Sequence, residues 1–99
     1  MVDAEEKKLV ERTEKYRKLT EQALKKVSIK VEKDSPLFAT AADFLAMAQN
    51  YFNDAKHFEE KNRMLLALAA YTYAHAWLDA GVRAGILDGK GDDRLFTLP

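Results

Sequence analysis

From Met64 to Leu78 the chain reads MLLALAAYTYAHAWL, and only Thr72 and His75 interrupt the apolar and aromatic residues. Wound at 100° per residue, Met64, Leu68, Tyr71, His75, Leu78, Val82 and Ile86 fall on one face, with Leu66, Ala70, Tyr73 and Trp77 roughly opposite. Two apolar faces predict a helix over 63–84 with a neighbour on each side. Trp77 should then be among the most buried large residues, its truncation to alanine costing about 3–5 kcal/mol. The remaining strip, Ala69, Thr72, Ala76, Ala80 and Arg83, is small or polar and suits either solvent or a closely approaching backbone. Gly85 supplies the left-handed position that ends a helix near Ala84, with Ile86 folding back over the last turn.

Upstream, Leu37, Ala41, Phe44, Ala48, Tyr51, Ala55 and Phe58 alternate by four and three, the spacing of a helix packed lengthwise along partners, and Phe38, Leu45 and Phe52 widen its face. Ser35 as cap and Pro36 at the first helical position start this helix at 36, and the pattern stops at 60. Asn62 is placed to cap the next helix, and so short a connection predicts an antiparallel hairpin.

The first segment is charged. Asp3/Lys7, Glu11/Lys15, Glu14/Lys18 and Glu21/Lys25 each set acid four residues before base, worth about 0.2–0.5 kcal/mol per pair on an exposed helix. Leu9, Tyr16, Leu19, Ala23, Leu24, Val27 and Val31 form one stripe, padded by Thr13 and Thr20. Residues 27–31 alternate like a strand, but with no partner strand in view they are read as helix, giving a first helix over 3–33. At 1.5 Å per residue it is about 45 Å long against about 33 Å for the third, so it should overhang, and its stripe together with the alanine strip of the third helix offers a surface for a second copy or another protein, with a homodimer expected. Residues 88–93 are a polar loop, and Leu95, Phe96 and Leu98 give the tail something to bury across the bundle end. The expected fold is all-α, an antiparallel three-helix bundle (helices about 3–33, 36–60 and 63–84) with an ordered C-terminal tail, one domain spanning 1–99.

Composition changes this picture in three ways. The 16 basic and 16 acidic residues cancel, so no net positive field favours nucleic acid or anionic lipid. Nucleic acid is the weakest partner class, since the ten basic residues up to Asp34 are interleaved with eight acids. The absence of cysteine removes disulfides, thiolate catalysis and sulfur-based zinc sites, and fits a cytoplasmic location. The apolar run is too short for the roughly 20 residues of a membrane span.

Candidate chemistry is sparse. Tyr71, His75 and Asp79 stand at i, i+4 and i+8, where Asp79 can orient the imidazole as a base or a metal ligand. A core histidine paired with a carboxylate is the commoner outcome. Tyr51 and Asp54, late in the second helix, can join a polar cluster with them. These five, Tyr51, Asp54, Tyr71, His75 and Asp79, are the candidate ligand-binding residues. No catalytic residue, metal or cofactor is expected: a catalytic zinc needs at least three protein ligands, and His57 should lie about 18 Å from His75 along the third helix. The run from Asp88 to Asp93 resembles a calcium loop, but Lys90 and Pro99 occupy ligand positions. No nucleophile motif supports an enzyme. The expected role is an interaction or assembly module whose partner is a second copy or another protein, with a small-ligand or metal site around His75 and Asp79 as the alternative.

Read as Tyr51, Asp54, Ala55, Phe58, then Ala67, Tyr73, Ala74, Leu78, Asp79, Ala80, Gly85 and Ile86, the C-terminal half resembles an archaeal family catalogued only as domain of unknown function 357; Leu95, Phe96 and Thr97 look like that family's ends. The resemblance covers the last two helices and tail, while the first helix is similar only in character. Lys61 and Asn62 depart from an expected Gly-Asp type turn, and Ala76 from an expected glycine. The resemblance implies a short three-helix protein with no assigned activity.

Overall fold

The computed structural model describes residues 3–99, built as α1 (Ala4–Lys26), β1 (Ser28–Ile29), α2 (Phe38–Glu60), α3 (Met64–Arg83) and β2 (Leu87–Asp88). Three helices and two short strands make an all-α bundle in which α1 and α2 both lie against α3 and scarcely touch each other. No helix among the described residues is long and apolar enough to cross a membrane.

Asp3 opens α1 by accepting the Glu6 N–H at 2.8 Å, with Glu5 and Glu6 in the first turn and Lys25 and Lys26 in the last, each sign matched to the helix dipole. Glu14–Lys18 and Glu21–Lys25 form ion pairs of 2.9 and 3.6 Å on its outer side. The buried stripe is thin, and the threonines do more than pad it: Thr13, Thr20 and Ala23 are its fully buried residues.

The first helix is shorter than the 3–33 expected. Val27 leaves the helix at ψ 146°, and Ser28 and Ile29 pair antiparallel with Asp88 and Leu87. The partner strand thus comes from the far end of the chain, beyond α3. At 23 residues α1 is about 35 Å long, close to the length of α3, so most of the expected overhang disappears.

Ser35 accepts the Leu37 N–H at 3.1 Å and its carbonyl the Phe38 N–H, so the Ser-Pro turn leads into α2, regular from Phe38 rather than from Pro36. At its other end Asn62 does not cap α3. Asn62 adopts φ 58°, its N–H donates to the Glu59 carbonyl, and the Arg63 N–H donates back to Phe58. That is the paired hydrogen-bond pattern of a left-handed helix stop, with asparagine in the place usually held by glycine. Gly85 repeats it at the end of α3: φ 78°, with Gly85 bonded to Val82 and Ile86 to Gly81. Ile86 folds back and is buried, as its position predicts.

Alanine forms much of the α2–α3 seam. Ala41, Ala48 and Ala55 of α2 and Ala67, Ala70 and Ala74 of α3 are buried, so the two backbones approach closely. Gly81 extends this closeness to the tail side, because a Cβ there would stand 2.3 Å from Leu87 Cδ1. With small side chains inside, the large ones on the predicted second face move to the rim. Trp77 is only half-buried, Leu66 and Tyr73 are exposed, and of that face Ala70 alone is core. Tyr71 and Leu78 take the central place expected for Trp77.

Candidate interaction surface

Along α3, His75, Asp79 and Arg83 stand one turn apart, the first two half-buried and Arg83 exposed at the edge of the outer face, and each holds the backbone of the tail. His75 Nε2 donates to the Leu95 carbonyl at 2.6 Å, Asp79 Oδ1 accepts the Thr97 N–H at 2.9 Å, and Arg83 Nη1 donates to the Leu98 carbonyl at 2.7 Å. The other imidazole nitrogen, Nδ1, lies 2.9 Å from the hydroxyl of buried Thr20, which donates to it in the neutral ring. A carbonyl rather than Asp79 therefore orients the ring, the carboxylate standing 4.0 Å from Nε2. A metal at His75 would have to displace either Thr20 or the tail. Among the described residues no three His, Cys, Asp or Glu side chains gather closely enough to hold one.

Tyr71 belongs to a different cluster. Its hydroxyl donates to Glu59 Oε1 at 2.7 Å, and Arg17 of α1 holds the other carboxylate oxygen, so one carboxylate ties all three helices together. Burial pushes the Tyr71 hydroxyl well above its ordinary pKa, and the neighbouring Glu59 charge adds to the effect. The sequence does carry a signal for Glu59, which continues the buried Phe52–Ala55 row by one further turn. For Thr20 the signal is a hydroxyl recurring seven residues after Thr13 inside an apolar stripe.

The loop that resembles a calcium site is held by the chain's own donors. Asp88 accepts the Lys90 N–H at 2.8 Å, and Asp92 accepts from Arg94, Leu95 and Lys26. These bonds keep both carboxyls below their usual pKa, Asp88 chiefly through the Lys90 N–H and Asp92 chiefly through Lys26.

The five candidate residues do not converge. Tyr71, His75 and Asp79 face α1, α2's end and the tail, whereas Tyr51 and Asp54 stand on the outer side of α2. There Tyr51 meets Tyr73 edge to face at 4.5 Å between ring centroids, and Phe44 meets Trp77 at 5.1 Å. Tyr51, Asp54 and Phe58 of α2 and Leu66, Ala69 and Tyr73 of α3 line an open cleft, continued along α3 by Ala76, Trp77 and Ala80. Leu65, Leu66 and Tyr73 are 70%, 42% and 47% exposed, an unusual concentration of large apolar side chains in water for one helix. The small strip Ala69, Thr72, Ala76, Ala80 and Arg83 faces solvent beside them, one of the two placements its composition allows.

Fold and surface together define a small helical-bundle protein in which Tyr71, His75 and Asp79 hold the fold together and the outer helix face is apolar. The chain belongs to the family described as Protein of unknown function (DUF357), whose model matches residues 15–87. The match takes in the second half of α1, more than the resemblance read from residues covers, and stops short of Leu95, Phe96 and Thr97. No curated protein and no solved structure gives a significant match to the chain.

Proposed function

We propose that this protein works by contact with another protein chain, as a small assembly module without a catalytic step, and that the outer face of α3 with its α2 flank is the surface used. What supports the reading is the concentration of Leu65, Leu66 and Tyr73 in water on a helix that carries no charge from Met64 to Leu78. A buried face elsewhere stabilises the monomer; this one gains its hydrophobic stabilisation only when something covers it. The cytoplasm is the compartment this reading takes, in keeping with a chain free of cysteine. Nucleic acid is not the partner this reading takes, because the chain's 16 basic and 16 acidic residues cancel and acids are interleaved with the bases along α1, as in the Glu14–Lys18 and Glu21–Lys25 pairs.

Hydroxyl-radical footprinting tests the surface. Leu66 and Tyr73 should label more slowly in the producing cell than in dilute purified protein, while Val10 and Leu37, exposed elsewhere, label alike in both. Equal labelling of Leu66 and Tyr73 in the two settings would remove the reading.

A further inference from the structure

Along its outer side α3 presents Leu66, Ala69, Tyr73, Ala76, Ala80 and Arg83, spaced alternately by three and four and every one exposed. That is the spacing of a coiled-coil seam, and neither α1 nor α2 covers it. The alanines allow a second helix to come close, and Tyr73 and Leu66 provide the bulk to fill its grooves.

Charge on and beside the seam selects the occupant. The row is neutral until Arg83 at its C-terminal end, while Asp54 on the α2 flank borders the cleft at the level of Leu66 and Ala69. Ala69 and Arg83 each stand seven residues from Ala76. A two-fold axis crossing α3 at Ala76 therefore sets the Arg83 of one copy opposite the Ala69 of the other, beside the rim that carries Asp54, and symmetry repeats the pairing at the other end. A parallel pairing would instead oppose Arg83 to Arg83 and leave each Asp54 facing its own kind. Arg83 can serve both contacts, since Nη1 alone holds the Leu98 carbonyl and the guanidinium has further donors.

We infer that the outer face of α3 binds the same face of a second copy, antiparallel about Ala76, with Arg83 of each copy paired to Asp54 of the other. The inference rests on the surface assigned under the proposed function and names its partner. It makes the assembly a homodimer joined through α3, with α1 on the outside of each half.

The test uses the full chain, which has no native cysteine to interfere. In Ala76→Cys the two introduced thiols meet at the axis and should oxidise to a covalent dimer, whereas those of Ala69→Cys lie about 21 Å apart along the seam and should not cross-link to each other. Sedimentation equilibrium should show the mass rising from 11.3 kDa towards twice that value with concentration. Asp54→Arg and Arg83→Asp alone should each weaken the dimer about tenfold or more, and the two together should restore it, with helical circular dichroism unchanged because both sites are exposed. A monomer at every concentration would overturn the inference, as would cross-linking through Ala69→Cys in place of Ala76→Cys, or a double variant no tighter than the singles. A monomer whose Leu66 and Tyr73 are still protected in cells would leave the surface assignment standing and reject only the second copy as its occupant.

Discussion

Tyr71 is the largest side chain that the fold buries completely, and its hydroxyl is the one donor that α3 gives to Glu59. Tyr71→Phe should cost about 1.5–3 kcal/mol in urea unfolding at neutral pH, towards the lower end because Arg17 continues to satisfy the carboxylate. The pH dependence follows from the direction of its shift. A folded-state pKa raised above the ordinary 10.0 gives stability that is complete below that value and is lost as pH rises through the folded one. The wild-type urea midpoint should therefore fall more steeply above about pH 10 than that of Tyr71→Phe; equal slopes would show that Tyr71 is not the group responsible. Trp77 supplies the contrast. It is half-buried, and its indole N–H is shut off from solvent with no partner, so Trp77→Ala should cost about 2 kcal/mol rather than the full 3–5 of a core aromatic, and less than Tyr71→Ala in the same thermal melt. Hydropathy misplaced Trp77 for a physical reason: it ranks side chains by their own burial free energy, whereas α2 and α3 gain more by bringing alanine-lined backbones together. The alternating Ala41, Ala48 and Ala55 mark that seam on α2, and Ala67, Ala70 and Ala74 are its counterpart on α3, of which the apolar faces read from the sequence include Ala70 alone.

Among the elements, the stop of α3 was the most legible and the strand pair the least. Gly85 has one physical use at the end of an apolar run, and it ends α3 as expected. Asn62 does the same for α2, although asparagine between two helices equally suits a cap for the second, which is the role its position suggests in the sequence. Asn62→Gly should leave stability equal or slightly higher, while Asn62→Val, forced to φ 58°, should lower it by about 1–3 kcal/mol; a valine variant that melts with the wild type would exclude a left-handed stop at this position. Residues 27–31 carry an alternation that was visible in the sequence, but a strand needs a partner, and Leu87 and Asp88 are too short a run to announce themselves. Of the candidate site, the i, i+4 placement of His75 and Asp79 was legible. What they hold was not, because the Leu95 carbonyl and Thr97 N–H are backbone groups with no side-chain signature. His75→Ala deprives both Thr20 and Leu95 of a partner, so amide exchange and limited proteolysis at residues 94–98 should quicken while exchange within the α2–α3 hairpin stays slow. Uniform acceleration across the chain would mean that His75 supports the whole core rather than the tail.

At the scale of the whole molecule, the Cα extents of 55 × 24 × 16 Å describe a long slab, and the radius of gyration of 14.7 Å exceeds the roughly 13 Å of a compact chain this size. A slab has more surface per residue than a sphere, so each closely packed position matters more. Gly81→Ala illustrates this: the added methyl improves helix propensity by about 1 kcal/mol but drives into buried Leu87, and the net loss should be about 1–2 kcal/mol, read as a lower melting temperature.

The clasp between β1 and β2 also implies an order of events in folding. Ser28 and Asp88 are sixty residues apart in the chain, and joining them from an open coil costs loop-closure entropy on the order of 4 kcal/mol against the return of a two-residue ladder. Once the α2–α3 hairpin exists, the start of α2 and the end of α3 lie at its open end, and only the short connections on either side remain to be closed. The hairpin should therefore form first, from neighbours in sequence, with α1 recruited late as the clasp shuts. In pulse-labelled refolding, amides of α2 and α3 should gain protection first, with Ser28 to Lys30 among the last.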